Sequence, residues 1–567
     1  MRVRLTRGGA AWARNPHRSG APGLPGRIRP LWGGIRHASV VGRGRSACGA
    51  GMIGLLTVAG MRELDRRAVE EHGLAVGVLM EVAGSALARE ALALRQAAGR
   101  HGPVVFLCGG GHNGGDGMVA ARHVAAAGVA ARVLLWADRT RLGPEPAAQW
   151  ALLPAAGVSV AESPPPSELG LELDEAGAIV DCLLGTGFHG TVRPPLPDVM
   201  AQANVAAAPV LAADMPSGLS GDVGEAPQGP CIRARRTLCF GAVKAGLFTE
   251  PGRGFAGSVV CEPLGIPAAA WSGLDVLRGC EAADAAALLP PRRPAGHKGT
   301  YGTVLAVVGS TGLAGAAALC ARAALRSGAG LCQVACPASV AATVAAHVAE
   351  ATARPLAADP DGMLAAEAMD RLPGLLGAAD AVAAGPGLGR GAGVRAVVRR
   401  LLEVYAGPLV LDADGLNAVE LKDLRAANGR LVITPHPGEA GRLLGCSSAD
   451  VQADRLGAAR RLAQEGRCVA VLKGTGTLVV AAEHPVWVNP TGNDGMATGG
   501  SGDVLAGLIA GLCAQGAEPH AAAVAGVYVH GLAGDRAAAA LGRRAMLAGD
   551  LLDRFGDAFR ALVGAQA

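Results

Sequence analysis

Short apolar runs that end in glycine-rich loops and pass directly into helical patterns recur along this chain, and they leave few architectures open. "GPVVFLC" reads as a buried strand, "GGGHNGGDG" (109–117) as the loop, "MVAARHVAAAG" as the helix and "ARVLLW" as the next strand. That is a βαβ unit, whose parallel strands need a crossover to pair. Apolar runs continue at "GAIVDCLLG", "APVLAADMP", "RTLCFGA" and "GSVVCE", with "AESPPPSELG" as a surface connection. From Met52 to "GPVVFLC" the pattern is helical. The alternation predicts an α/β fold, a mostly parallel doubly wound sheet of Rossmann-like type.

A second series begins where "LDVLRGCEAADAAALLPPRRPAGHKGTYG" shifts the composition to Pro, Arg and Gly. "GTVLAVVGS" is a strand, "AGAAALCARAALRSGAG" a helix and "LCQVAC" a strand. "AVAAGPG", "PLVLDADG", "RLVITPHPG" and "CVAVLKGTGT" follow as strands with loops. The boundary is placed near Cys280, giving segments 52–279 and 280–567. The halves agree in class but share no motif, so they are not tandem repeats. A length of 567 residues suits two to four domains.

The formal charge of +5 is misleading. Residues 1–51 hold ten arginines and no acidic residue; without them 42 basic residues face 47 acidic ones. The body is therefore mildly acidic, which speaks against a nucleic-acid partner. The arginine-rich head has no apolar core and is expected to be disordered. It reads either as a transit peptide or as an over-extended start, with translation beginning at Met52. No run of about 18 uninterrupted apolar residues argues for a membrane span. The 13 cysteines are odd in number and lack paired CxxC spacing, so neither a disulfide framework nor a zinc site is expected, and a reducing, cytoplasmic compartment is.

The chain holds 48 arginines and four lysines, Lys244, Lys298, Lys422 and Lys473. A lysine retained against such a bias points to work a guanidinium cannot do, such as losing a proton or acting as a compact charge. Lys422, in "ELKDL", is the one best read as chance survival.

In the first half, the loop 109–117 ends a strand and opens a helix, where backbone N–H groups and the helix dipole favour an anion. Later strand ends carry Asp181 before Gly-Thr-Gly, Asp214 with Ser217, and Lys244. Parallel strands bring their carboxyl ends to one crevice, so these groups can converge there. "NGGDG", "DCLLGTG", "DMPSGL" and the downstream Lys-x-Gly are similar to those of the epimerases that interconvert the R and S forms of hydrated NADH and NADPH. The resemblance runs from about Met52 to Trp271. It implies that Asn113, Asp181 and Ser217 hold a potassium ion. It further implies that His112, Asn113, Gly114, Gly115, Asp116, the loop Gly185, Thr186, Gly187, Phe188, His189, Gly190, Thr191, and Asp214 line the substrate. Oxygen donors suit a hard monovalent cation. Asp214 and Lys244 are the expected acid–base pair, with an apolar crevice drawing their pKa values toward neutrality. The chain departs from the family pattern at His112 and Val82, where Asn is common.

In the second half, "NPTGNDGMATGGSGDVLAGLIAGL" (489–512) places Gly499, Gly500 and Gly502 before an apolar helix and Asp503 in its first turn. An anion cradle with a carboxylate suits proton removal from a hydroxyl attacking a terminal phosphate. "HKGTYG", "ALRSGAG", "GPGLG", "DADGLNA", "TPHPGE" and "LKGTGT" precede it. Together these motifs resemble the ribokinase-like superfamily, and within it the ADP- or ATP-dependent dehydratases of S-form hydrated NAD(P)H; Asp494 departs, standing where Pro is usual. The resemblance covers about Asp284 to Phe559. It implies that Lys473, Gly474, Thr475, Gly476, Thr477 and Gly502 contact the nucleotide. Ala316, Gly389, His436 and Asp503 would contact the hydrated nicotinamide, with Asp503 as catalytic base and Mg²⁺ accompanying ADP or ATP. The implied activity is complete repair of both epimers, with hydrated NAD(P)H and adenine nucleotide as ligands and a homo-oligomer expected. Two other readings stay open: a hydroxymethyl kinase in the second half, and a non-catalytic binding module in the first.

Overall fold

The computed structural model describes residues 53–564 apart from 189, 223–228, 249–250 and 428–429. The readings of residues 1–51 lie outside the described residues. The uninterrupted apolar runs have a direct structural cause. Strands Val104–Cys108 and Ala178–Cys182 are buried at every position, as parallel strands covered on both faces must be. Val104, Phe106 and Cys108 join one core with Leu87 and Met118, while Val105 and Leu107 join another with Leu169 and Met200. Helices therefore cover both faces.

That first sheet has seven strands, all parallel. Their spatial order is Ser159–Glu162, Ala131–Leu135, Val104–Cys108, Ala178–Cys182, Val210–Ala213, Arg236–Phe240 and Ser258–Glu262. The sequence order reverses between Val104–Cys108 and Ala178–Cys182, the switch point at which open α/β sheets bind ligands.

The second sheet has twelve strands. Seven of them run parallel, from Thr352–Leu356 through Leu331–Pro337, Thr303–Val307, Ala381–Ala384, Leu409–Leu411 and Leu431–Ile433 to Val469–Leu472. Leu478–Val480 and Trp487–Val488 then follow as antiparallel neighbours. The sheet continues into the first half of the chain. Leu277–Gly279 pairs with Trp487–Val488, Ile53–Leu56 with Leu277–Gly279, and Val243–Lys244 with Ile53–Leu56. Leu55, Val243 and Leu277 share a core with Val480 and Val488.

This arrangement corrects the helical reading of the segment after Met52. Ile53–Leu56 is a strand, and the helix Val58–Glu70 begins only after Thr57, whose Oγ1 accepts from Gly60 N at 3.0 Å. The four residues extend because an edge is available on each side of them, which no local pattern announces. No described helix is long and apolar enough to cross a membrane.

Two candidate active sites

The four strand ends singled out in the first half do converge. Asp214 follows Val210–Ala213 in a left-handed conformation, φ 64°, that favours glycine. Its backbone N–H donates to Leu238 O at 2.7 Å, and its Oδ1 accepts from Phe240 N at 3.0 Å and from Lys244 Nζ. Lys244, with no exposure, also donates to Phe240 O at 3.0 Å. Lys244 does not drift toward neutrality as expected. Burial alone would lower the lysine, but Asp214 outweighs it and holds Lys244 above its ordinary value.

Two carboxyl groups raised above their ordinary values lie beside this pair. Burial, reinforced by Asp214 and Asp65, pushes Asp116 well above the carboxylate range. Asp65 is raised to about 6, chiefly by burial, with Lys244 opposing and Asp214 adding. Asp65 is exposed. It sits on Val58–Glu70 next to the buried stripe of Met61, Leu64 and Ala68. Sequence reading missed it; a carboxylate bordering a buried stripe was the available signal.

Asn113, Asp181 and Ser217 are also brought together. Fully buried Asp181 accepts from Ser217 Oγ at 2.6 Å and Ser217 N at 2.8 Å. Asn113 Nδ2 donates to Leu184 O at 3.0 Å, while its buried Oδ1 finds no partner. Burial raises Asp181 to about 6 against the Ser217 bonds.

The glycines of "NGGDG" also have a packing reason. A Cβ on Gly114 would lie 1.9 Å from Gly109 O, and one on Gly115 2.7 Å from Met80 Cε. Both are buried, and they let the helix His112–Ala126 approach the sheet and the helix Val76–Ala97 closely. Exposed His112 stands 3.9 Å from Glu145. Gly185, Thr186, Gly187, Phe188, Gly190 and Thr191 form the loop after Asp181, with Phe188 N donating to Gly185 O at 3.0 Å; His189 lies outside the described residues.

In the second half, the helix Ser501–Ala514 starts from Gly500 in the left-handed region, φ 93°. Its first turn presents Gly502 and Asp503. Burial first, then Asp412, raises Asp503 to about 7 despite Lys473. Lys473 Nζ binds Asp412 Oδ1 at 2.8 Å and lies 3.8 Å from Glu439. Burial would lower this lysine too, but the two carboxylates hold it above its ordinary value. Gly502 faces the pair: a Cβ there would lie 3.3 Å from Lys473 Nζ and 3.4 Å from Asp412 Oδ2. Lys473 is thus an ion-paired residue at the rim of the cradle as well as a candidate phosphate contact.

His436 caps the helix Pro437–Leu444, accepting at Nδ1 from Gly438 N at 3.0 Å and Glu439 N at 3.3 Å. Its ring is otherwise exposed, with Nε2 3.6 Å from Glu439 Oε1. Gly389 donates to Asp414 Oδ2 at 2.9 Å, and a Cβ on Gly387 in the same loop would lie 3.0 Å from Ala316 Cβ. Gly389 follows strand Ala381–Ala384 and His436 follows Leu431–Ile433, while Ala316 and Asp503 lie in the first turns of helices Ala314–Arg326 and Ser501–Ala514. Asp412 and Glu439 lay inside recognised motifs but were not assigned roles. Among the described residues no cluster of three His, Cys, Asp or Glu side chains is disposed to hold a metal ion.

The fold and the two sites define a two-centre α/β enzyme. Residues 304–555 match the family of NAD(P)H-hydrate dehydratases, and residues 76–246 match the YjeF-related protein N-terminus. The chain is 41% identical to the bifunctional NAD(P)H-hydrate repair enzyme Nnr of Moorella thermoacetica, over 88% of this chain and 95% of that protein. It is 39% identical to the enzyme of the same name from Coxiella burnetii, over 87% and 96%. An ADP/ATP-dependent NAD(P)H-hydrate dehydratase from Bacillus subtilis, co-crystallized with ATP and Mg²⁺, is 30% identical. It covers 50% of this chain and 97% of its own, with a TM-score of 0.42. The chain belongs to the bifunctional NAD(P)H-hydrate repair enzymes.

Proposed function

We propose that this chain restores hydrated NADH and NADPH, epimerising the R and S hydrates in residues 52–279 and dehydrating the S form in residues 280–567. The observation that carries this reading is the relation to bifunctional repair enzymes along both halves. The order of motifs and the retention of Asp214 with Lys244 do not favour a hydroxymethyl kinase joined to a binding module.

For dehydration, hydroxide is a poor leaving group, and phosphorylation of the ring hydroxyl makes it a good one. Asp503, raised to about 7, is matched to accept the hydroxyl proton near neutrality. The Gly499–Gly502 turn and helix start offer N–H groups to the transferring phosphate. Lys473 and the loop 474–477 hold the remainder of the nucleotide, which enters as its Mg²⁺ complex. ADP or ATP is the phosphoryl donor, giving AMP or ADP, phosphate and NAD(P)H.

For epimerisation, a bond to the carbon bearing the hydroxyl and the ring nitrogen must open and reclose on the other face, with a base taking the heteroatom proton and an acid protonating the departing atom. Asp214 is the base, Lys244 fixes it and steadies its charge, and protonated Asp116 is the donor. Asn113, Asp181 and Ser217 suit a potassium ion, because the orphaned Asn113 Oδ1 and the buried Asp181 carboxylate are hard oxygen donors. Such an ion would supply positive charge beside the substrate loop. All twelve described cysteines are free thiols, which suits a reducing, cytoplasmic setting.

The test is to incubate the protein with mixed R- and S-hydrated NADH, Mg²⁺, K⁺ and ADP or ATP, following the dihydronicotinamide absorbance. Complete recovery of NADH is expected. Recovery of the S fraction alone would remove the epimerase assignment, and no recovery would remove the dehydratase assignment, the epimerase then being judged by chromatographic R/S exchange.

A further inference from the structure

Arg455, which none of the motifs contains, is in an electrostatically unfavourable place. It is 5% exposed and opens the helix Arg455–Gly466, where a cation opposes the helix dipole. A buried cation also needs a counter-charge. The nearby carboxylates are otherwise engaged: Asp412 and Glu439 with Lys473, and Asp454 with Gly457 N at 2.8 Å. Among the described residues, no carboxylate is ion-paired with Arg455.

Its guanidinium instead gathers backbone oxygens. Nη2 donates to Leu472 O and Lys473 O at 3.3 Å and to Gly476 O at 3.5 Å, and Nη1 to Gln452 Oε1 at 2.7 Å. Nε has no partner. Thr477 Oγ1 donates to Gly474 O at 2.9 Å. The carbonyls of 472, 473 and 476 are thus tied to Arg455 and that of exposed Gly474 to Thr477, with φ of 122° at Gly474 and 66° at Gly476 providing the reversals. Among the described hydrogen bonds the amides of Gly474, Thr475 and Gly476 have no protein acceptor. Carbonyls tied down and successive amides left free make an anion-binding nest. The fit is close: a Cβ at 474 would lie 3.1 Å from Arg455 Nη1.

We propose that Arg455 is the positioning residue of this loop, fixing its carbonyls so that its amides face a nucleotide phosphate, whose charge is the counter-charge Arg455 otherwise lacks. The inference rests on the reading of 473–477 as the nucleotide site. Lysine would keep the charge but not the fork that spans several carbonyls.

The experiment measures ADP binding by calorimetry, and nucleotide KM and kcat, for the full chain and for Arg455→Met and Arg455→Lys. Epimerase activity in the same samples reports folding. Arg455→Met is expected to raise Kd and KM by about ten-fold or more while kcat changes little, with Arg455→Lys intermediate. Unchanged Kd in Arg455→Met, or a fall in kcat at constant KM, would overturn the proposal alone. Failure of the unmodified chain to bind ADP would overturn the reading of the loop and the proposal with it. Should Arg455→Met lose epimerase activity as well, Arg455→Lys decides: a raised Kd supports the proposal and an unchanged one refutes it.

Discussion

Each half of the molecule places a lysine against an aspartate at the carboxyl end of a sheet, Lys244 with Asp214 and Lys473 with Asp412. In both, burial would discharge the lysine and the aspartate keeps it charged. In both, a carboxylate beside the pair is raised, Asp116 in the first and Asp503 in the second. The surroundings differ. The first pair is sealed, with the Lys244 side chain 1% exposed, and is flanked by further carboxylates. The second is 20% exposed at Lys473 and opens onto a glycine turn and a helix N-terminus. A buried Lys–Asp pair is thus a way of fixing charge, and its neighbours decide whether protons or phosphoryl groups are handled.

The strongest way to break this comparison is to remove one reacting carboxylate and watch the other half. Asp503→Asn should lower S-hydrate dehydration by about 10²–10⁴-fold and leave epimerisation intact, read by NADH recovery against chromatographic R/S exchange. Asp214→Asn should do the reverse. It also strands a buried Lys244, so stability should fall by about 3–5 kcal/mol in denaturant titration; an unaltered midpoint would mean that the pair is not sealed.

A pH profile sharpens the contrast. Asp503 must be ionised to act as a base, so dehydration should be lost as pH falls through about 7 and level off above it. Asp412→Asn removes the neighbouring negative charge that helps to raise Asp503, so the acid limb should move to lower pH. A limb that stays in place would assign it to another group.

Smaller effects are expected at the edges. Asn113→Leu should abolish any dependence of epimerisation on K⁺ over Na⁺ while dehydration keeps its own response, read by rates in matched chloride salts. The exposed ion pair of Arg460 with Asp275, which links the two segments, should contribute only about 0–1 kcal/mol. Arg460→Ala would therefore leave the melting transition nearly unchanged if the shared strands hold the halves together.

The fold class was legible because strands covered on both faces must be apolar throughout, and "VVFLC" or "VLAVV" cannot hide that pattern. The catalytic candidates were legible because glycine-rich turns at strand ends are distinctive and because lysine is scarce among arginines. The same scarcity had a limit: Lys298 is an exposed surface residue, though it lies within a motif. It also hid Arg455, since one arginine among 48 carries no signal.

Local sequence thus determined the parallel sheets, the loops at their carboxyl ends and the identity of most groups gathered there. Tertiary structure alone decided that Ile53–Leu56, Val243–Lys244 and Leu277–Gly279 would extend the second sheet, because strand pairing is a contact between distant segments. It also decided which titratable groups would be charged. Lys244 stays protonated beside Asp214, 30 residues away, and Asp116 resists ionisation because of burial and of Asp214 and Asp65, 98 and 51 residues away; only folding brings those charges within reach of one another.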